Sequence, residues 1–302
     1  MTVDFSSLSA IRTHQPALPA PRGVSRDQLL QSLISLAIDG SRSGELESYA
    51  REDCDRFLYT LDLVPEDAQQ ILEVGSNPYF LTYLMKIFRK KAHIKLLNYF
   101  GGPPGTGRQT IRSRNLTDEH DQEFAFDYMN INIEAHDIPL ASGACDVVLF
   151  CEVIEHLLED PLRALLELKR VLRPGGQLVL TTPNVARLEN LARIASGANI
   201  YDPYSGYGPY GRHNREYTRH ELYKIMTYCG FSPEILFTAD VHPNRAADYF
   251  DLSRLDALVD FRAPDLGQYL FSRWRNTGPA PTRKPSWLYR SYPTNLMEEV
   301  LL

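Results

Sequence analysis

Cysteine is scarce in this chain. Cys54, Cys145, Cys151 and Cys229 are the only four among 302 residues, and no pair has CxxC spacing. The pattern predicts free thiols, no disulfides and a reducing, cytoplasmic setting. Long apolar runs are also missing. No stretch reaches the roughly 20 apolar residues a bilayer requires, so no membrane span is expected. The opening "MTVDFSSLSAIRTHQPALPAPRG" lacks an apolar segment of secretory length, and residues 1–25 read as a flexible leader. Positive charge is in short supply: 32 Lys and Arg stand against 38 Asp and Glu, for a net charge of −6. A general nucleic-acid binder needs cations to displace phosphate counterions, which disfavours that class. The short basic stretches "FRKK" (88–91) and "TRKP" (282–285) weaken the objection only slightly.

What is present is helical at first. "SRDQLLQSLISLAIDG" and "ELESYAREDCDRFLYTLDLVP" carry apolar residues at helical spacing. In the second, Tyr49, Phe57, Leu58 and Leu61 share a face and Pro65 follows the end. Residues 26–66 are therefore expected as helices that lid the core. From residue 70 short apolar runs alternate with helical stretches: "QILEVG", "YFLTYLMKIFRKK", "HIKLLNYF", "CDVVLFCEV", "DPLRALLELKRVL", "GQLVLTTP". Such alternation predicts βαβ units and a doubly wound α/β sheet, mostly parallel, whose ligand lies beyond the carboxyl ends of the strands. Near the end "GQYLFSRWR" alternates like an antiparallel edge strand.

The residues just past each strand carry the chemistry. In "EVGSNPYF", Glu73 and Gly75 end a strand, and Asn77 and Pro78 are expected to open a helix whose free N–H groups face a ligand. Further on, "IPLASGACDVVLFCEVIEHL" and "ALLELKRVLRPGGQLVLTTPN" set strand, helix, LRPGG turn and strand in succession. Pro174 is expected to end the helix, and the two glycines to permit the reversal.

That order of motifs resembles the class I S-adenosylmethionine-dependent methyltransferases over roughly residues 68–240. The resemblance implies a Rossmann-like methyltransferase domain over 67–276, with S-adenosyl-L-methionine as cofactor. It places Glu73, Gly75 and Asn77 beside the cofactor's methionine and ribose, Asn98 at the ribose, Glu134 near the adenine, and Cys151 at the close of the central strand. The chain departs from the family pattern in having "GSNPYF" for a glycine-rich loop and Asn98 for a carboxylate. The missing GxGxxG and missing acidic residue also disfavour a nicotinamide dinucleotide.

In "CEVIEHLLED", Glu152, Glu155 and His156 stand at i, i+3 and i+4, which on the first turn of a helix would bring them together. Glutamates there also compensate the helix dipole. Carboxylate and imidazole together suit a divalent ion such as Mg or Mn. ExxEH after this strand resembles the metal motif of small-RNA 3′-terminal ribose methyltransferases and of ubiquinone-pathway O-methyltransferases. The RNA group carries a further histidine in an HxFEWT context, which "HNREYT" (213–218) matches in part. The resemblance implies Glu152, Glu155, His156 and His213 as metal ligands. Without a metal, His156 or His213 is the general-base candidate.

Before His213, "NIYDPYSGYGPYGRHNREYT" spaces Tyr201, Tyr204, Tyr207 and Tyr210 three apart among glycines and prolines, which rules out a helix. Tyr204, Tyr207 and Tyr210 are read as an acceptor platform, because tyrosine offers a flat face and a hydrogen-bonding tip that suit pyranose rings. The function expected is O-methylation of a saccharide or glycan hydroxyl, metal-assisted. The alternatives are an RNA 3′-terminal ribose or catechol-like acceptor, or a non-catalytic cofactor-binding scaffold. The acceptor is a small molecule or glycan, and oligomeric state is left open. The polar stretch 100–122 is read as a flap or as disorder, and 277–302 as an extension that wraps the domain or meets a partner.

Overall fold

The computed structural model describes residues 15–21, 23–41, 43–116 and 120–300. Much of the expected leader, residues 1–14 and 22, lies outside them. Nine strands form one sheet: β1 (Ala37–Ile38), β2 (Gln70–Val74), β3 (His93–Asn98), β4 (Gly105–Arg114), β5 (Asp121–Asn130), β6 (Cys145–Cys151), β7 (Leu172–Pro183), β8 (Phe231–Ala239) and β9 (Tyr269–Asn276). Their order is β1-β4-β5-β3-β2-β6-β7-β9-β8. The run β5-β3-β2-β6-β7 is parallel throughout. Chain order reverses between β2 and β6, which opens the ligand crevice of a doubly wound sheet at that point.

The antiparallel strand expected near the C-terminus is β9, and it lies one place in from the edge, between β7 and β8. The polar stretch expected as flap or disorder is corrected. Residues 105–114 form β4, which hairpins with β5 in register from Gly105↔Asn130 to Arg114↔Asp121. Backbone pairing and the burial of Ile111 and Ser113 hold it there, and its otherwise polar composition concealed it.

Apolar strands are buried on both faces. In β6, Val147 and Leu149 point to one core, while Val148 and Phe150 point to the other. The first core is covered by helices Arg26–Ile34, Gly44–Leu63 and Phe80–Phe88. Phe57 stacks on Phe80 with ring centroids 5.1 Å apart. Each such buried ring contributes ~1.5–3 kcal/mol, and the stacked pair ~0.5–1.5 more. The helix Arg26–Ile34 starts at a capping box in which Ser25 Oγ accepts from Gln28 N–H and Gln28 Oε1 accepts from Ser25 N–H. It stops short of the expected "LAIDG", because Ala37 and Ile38 pair with β4 instead.

The second core lies under helices Pro161–Val171 and Arg219–Tyr228. The first of these ends at Val171, before Pro174 is reached, since Leu172 is already extended. The C-terminal extension wraps the domain: Tyr289 OH donates to Asp160 Oδ1 at 2.6 Å and accepts from Leu162 N–H at 2.9 Å. Lys284 pairs with the same aspartate. Among the described residues no helix is long and apolar enough to cross a membrane.

Candidate active site

The crevice between β2 and β6 is built from tight loops. Gly75 has φ +72°, and a Cβ there would come within 2.4 Å of Val153 Cγ2, so only glycine fits. The N–H groups expected to be free are not. Gly75 and Ser76 donate to Leu97 O, Asn77 donates to Asn98 Oδ1 at 2.9 Å, and Tyr79 donates to Ser76 O. The helix begins only at Phe80. Asn98 is buried and its amide is engaged: Oδ1 also accepts from Ser76 Oγ, and Nδ2 donates to Tyr79 OH at 3.1 Å. It organises the loop from the end of β3, where a carboxylate could not donate.

Glu73 is buried, with Oε2 accepting from Thr82 Oγ1 at 2.6 Å. Burial pushes its carboxyl up to about 8. It shares a narrow hollow with Cys151, Glu152 and, from the long helix Gly44–Leu63, Tyr49 and Arg56. Burial pushes the Cys151 thiol up to about 12, so this cysteine packs as a small hydrophobe. Arg56 is 3% exposed, paired with Asp53 at 2.7 Å, and stands 3.7 Å from Glu152 Oε1. Arg56 and Asp53 look like ordinary polar positions in the sequence of an amphipathic helix; only its docking brings them here.

The acidic cluster does not sit on an α-helix. Glu152 has φ +55°, an uncommon conformation for a residue with a Cβ, and Ile154–His156 form a single 3-10 turn. The α-helix starts at Pro161. Glu152 N–H donates to Thr181 O at 2.9 Å, and its Oε1 accepts from Thr181 Oγ1 at 2.7 Å. Held so, Glu152 lines the groove with His156 but brings no ligand atom into the close group that Glu155, His156 and His213 form. Glu155, His156 and His213 each bring one ligand atom within 4.8 Å of the others.

Their surroundings fit a cation. Glu155 is fully buried; Oε2 accepts from Thr182 Oγ1 at 2.9 Å, while Oε1 has no hydrogen-bond partner and stands 3.9 Å from His156 Nε2. Burial raises the Glu155 carboxyl above its usual range. His156 Nδ1–H donates to Arg212 O at 3.0 Å, which leaves Nε2 as a lone pair, and burial lowers its affinity for a proton. His213 Nδ1–H donates to Glu216 Oε1 at 2.9 Å. Burial opposes charge on His213, but the Glu216 bond and the Glu155 charge outweigh it and its pKa rises. An anchored Nδ1 with a free Nε2 is the arrangement metal-ligating histidines adopt. The sequence "HNREYT" hides two supports: Glu216, and Asn214, which donates its backbone N–H to Glu155 O at 2.7 Å and its side-chain amide to His156 O at 3.0 Å.

Two hollows meet at this cluster. A groove of about 280 Å³ runs over the ends of β2, β3 and β5 and is lined by Asn77, Asn98, Tyr99, Val153, His156 and Tyr210. A cavity of about 620 Å³ has His213 and Glu216 in its wall. Glu134 is not in the lining of either. Its carboxylate accepts the N–H groups of Leu158, Glu159 and Asp160 at 2.7–3.0 Å and the Tyr210 hydroxyl at 3.2 Å.

The expected tyrosine platform divides. Tyr210 edge-stacks on Tyr99 at 5.5 Å and belongs to the groove. Tyr204 lies under the Arg212 guanidinium at 4.7 Å and is 92% exposed; neither it nor Tyr207 lines either hollow. The tyrosines in the cavity wall are Tyr201, Tyr249 and Tyr269. Only Tyr201 belongs to the spaced series, and the others reach the cavity from distant segments.

Comparison with known proteins bears on this geometry. Residues 108–180 match the family model described as a methyltransferase domain. Over 98 residues, 32% of this chain and 33% of the relative, it is 34% identical to a probable S-adenosylmethionine-dependent methyltransferase of Mycolicibacterium smegmatis. Over part of its length the chain is thus similar to methyltransferase domains. The chain is also 43% identical over 51 residues to an uncharacterized 37.1 kDa protein in transposon TN4556 of Streptomyces fradiae, covering 17% of this chain and 14% of that one. The chain thus spans a third or less of the length of the curated relatives it matches. A solved SAM-dependent methyltransferase from Archaeoglobus fulgidus aligns with 78% of this chain and 95% of its own at 15% identity, with a TM-score of 0.45.

Proposed function

We propose that this protein transfers the methyl group of S-adenosylmethionine to a hydroxyl of a saccharide or glycan, assisted by a divalent ion at Glu155, His156 and His213. The observation that carries the reading is the position of that cluster: His156 lines the groove at the sheet's switch point, and His213 lines the larger cavity. A cofactor in the groove and an acceptor in the cavity would meet there.

The chain's own residues supply the rest. Arg56 offers positive charge to the cofactor's carboxylate, Glu152 offers negative charge to its ammonium and sulfonium, and Glu73, which keeps its proton at neutral pH, offers a hydrogen bond. The long helix Gly44–Leu63 closes the hollow from above through Tyr49 and Arg56, which supports its reading as a lid over a domain of residues 67–276. A divalent ion, when bound, would lower the pKa of an acceptor hydroxyl and favour its alkoxide. Carboxylate and imidazole donors suit Mg or Mn. Without an ion, His156 Nε2, unprotonated, would instead be the base that takes the acceptor's proton. Four unpaired buried thiols support a reducing, cytoplasmic compartment.

Titration calorimetry with S-adenosylhomocysteine tests the reading at its base; no heat at millimolar ligand leaves a fold without the activity. Transfer of a labelled methyl to glycosides, with and without a strong chelator, tests the rest. The RNA-ribose alternative predicts acceptor binding that falls steeply with salt. The cavity wall sets four carboxylates, Glu52, Glu189, Asp202 and Glu216, against three arginines, Arg187, Arg193 and Arg245, so it offers a phosphate chain no excess of positive charge.

A further inference from the structure

We infer that the acceptor is a glycan chain rather than a single sugar, and that its units beyond the methylated ring lie outside the cavity on Tyr201, Tyr204 and Tyr207; the inference rests on the saccharide reading above. Tyr201 lines the 620 Å³ cavity that contains His213, yet it is 81% exposed, so it stands at the mouth. Pro203 lines the cavity beside it. From there the chain runs on to Tyr204 and Tyr207, which are 92% and 83% exposed. Exposed apolar surface on this scale, continuous with a cavity mouth, marks a place where something else packs.

The loop that carries these rings is built, not loose. Ser205 Oγ accepts the Tyr207 N–H at 3.1 Å, and Ser205 O accepts the Gly208 N–H at 3.3 Å. Gly211 folds back on the same turn so closely that a Cβ there would come within 2.6 Å of Ser205 Oγ and 2.7 Å of Tyr207 Cβ. Arg212 then ties the outer ring to the reacting centre. Its guanidinium lies 4.7 Å over the Tyr204 ring, its Nε–H donates to Asn214 Oδ1 at 3.2 Å, and its carbonyl accepts the His156 Nδ1–H at 3.0 Å. Tyr204 is thus held in register with the His156–His213 cluster through one residue. A loop already fixed loses little freedom when a ligand settles on it, and tyrosine offers a wide face with few rotatable bonds.

What covers the rings follows from what the loop lacks. Residues 199–211 carry a single charge, Asp202, and its carboxylate accepts the His213 N–H at 3.0 Å. A single-stranded nucleic acid needs cations beside its stacking rings, and Arg212 already covers Tyr204. From Tyr201 to Gly211 there is no Leu, Ile, Val or Met, so the surface has no aliphatic centre for a protein partner. Three tyrosines offer on the order of 450–750 Å², less than the roughly 800 Å² that each side of a standard protein interface contributes. Pyranose rings have apolar faces and hydroxylated edges, which match a flat ring with a hydrogen-bonding tip.

The test uses the full chain saturated with S-adenosylhomocysteine, and as probes the mono- to tetrasaccharides of several linkage series, titrated by saturation-transfer NMR. In at least one series affinity should rise about ten-fold or more from monosaccharide to tetrasaccharide. The double variant Tyr204→Ala, Tyr207→Ala should abolish that rise while binding the monosaccharide and S-adenosylhomocysteine as the wild type does. Both rings are exposed, so the variant should fold with an unchanged thermal midpoint. A rise that survives the double substitution overturns the inference. So does a wild-type dimer in light scattering that the double substitution dissociates, since the rings would then cover a second copy. If S-adenosylhomocysteine binds and no saccharide of any length does, the saccharide reading falls and takes this inference with it. If the monosaccharide binds and longer chains gain nothing, this inference falls alone.

Discussion

The imidazoles of His156 and His213 meet edge to face, with centroids 5.1 Å apart and planes at 78°. They come from segments 57 positions apart in the chain. Each ring is fixed through Nδ1, one by the Arg212 carbonyl and the other by the Glu216 carboxylate. The pair is therefore pre-arranged, and Glu155 supplies the third donor without a partner of its own.

Replacing that donor should separate metal binding from folding. Glu155→Gln preserves the volume and an acceptor for Thr182, so the thermal midpoint should move by only a few degrees, roughly the effect of a 1 kcal/mol change. Affinity for Mn(II), measured by calorimetry, should collapse. Glu216→Gln, which weakens the anchor on His213 Nδ1 and the pair with Arg187 while leaving the three ligand residues in place, should lower metal affinity about 10–100-fold. Wild-type activity in strong chelator, together with full activity of Glu155→Gln, would return the cluster to a structural role.

Glu73 sets a pH dependence of stability. Its carboxyl titrates at about 8 in the folded chain against an ordinary 4.5. The folded state therefore holds its proton over a range where the unfolded state has lost it. The contribution is fully present below about pH 4.5 and is lost as pH rises through 8. Glu73→Gln should remove this loss, so that between pH 5 and 8 the variant gains on the wild type by an amount on the order of 2–4 kcal/mol. Urea midpoints across that range check it, and parallel curves for the two proteins would disprove it.

The two tyrosines at the ends of the loop should behave oppositely. Tyr210 accepts from Asn132 Nδ2 at 2.9 Å and donates to Glu134, and it lines the groove proposed for the cofactor. Tyr210→Ala should raise KM for S-adenosylmethionine several-fold. Tyr204→Ala, which loses only the stacking on Arg212, should leave that KM unchanged. Equal effects of both substitutions would show that the loop moves as one body.

Arg56 is a buried cation shared by Asp53 and Glu152. Removing one partner of a buried pair leaves the other charge uncompensated, at a cost of about 3–5 kcal/mol. Arg56→Met should therefore destabilise the protein by that amount in urea unfolding, and Asp53→Leu combined with it should restore much of the loss. Additive losses would mean that Arg56 acts through packing on Tyr49 and Phe57 alone.

The sequence by itself determined the parallel sheet. The apolar runs at 71–74, 96–98, 147–151 and 178–183 are buried on both faces, so their composition is the fold's own signature. It also determined that Glu155, His156 and His213 are chemically unusual residues for their positions. The tertiary structure alone decided which of them meet. Glu152 shares the motif but leaves the group, because its backbone turns through φ +55° and Thr181 captures its carboxylate. The β4–β5 hairpin escaped a reading of composition because Ile111 is the one fully buried apolar residue of β4 and backbone pairing does the rest. Arg56 escaped because a polar residue on an amphipathic helix looks solvated until docking shows which water it has lost. Periodicity reports which face of an element is apolar. What the polar face meets is settled only when distant elements pack.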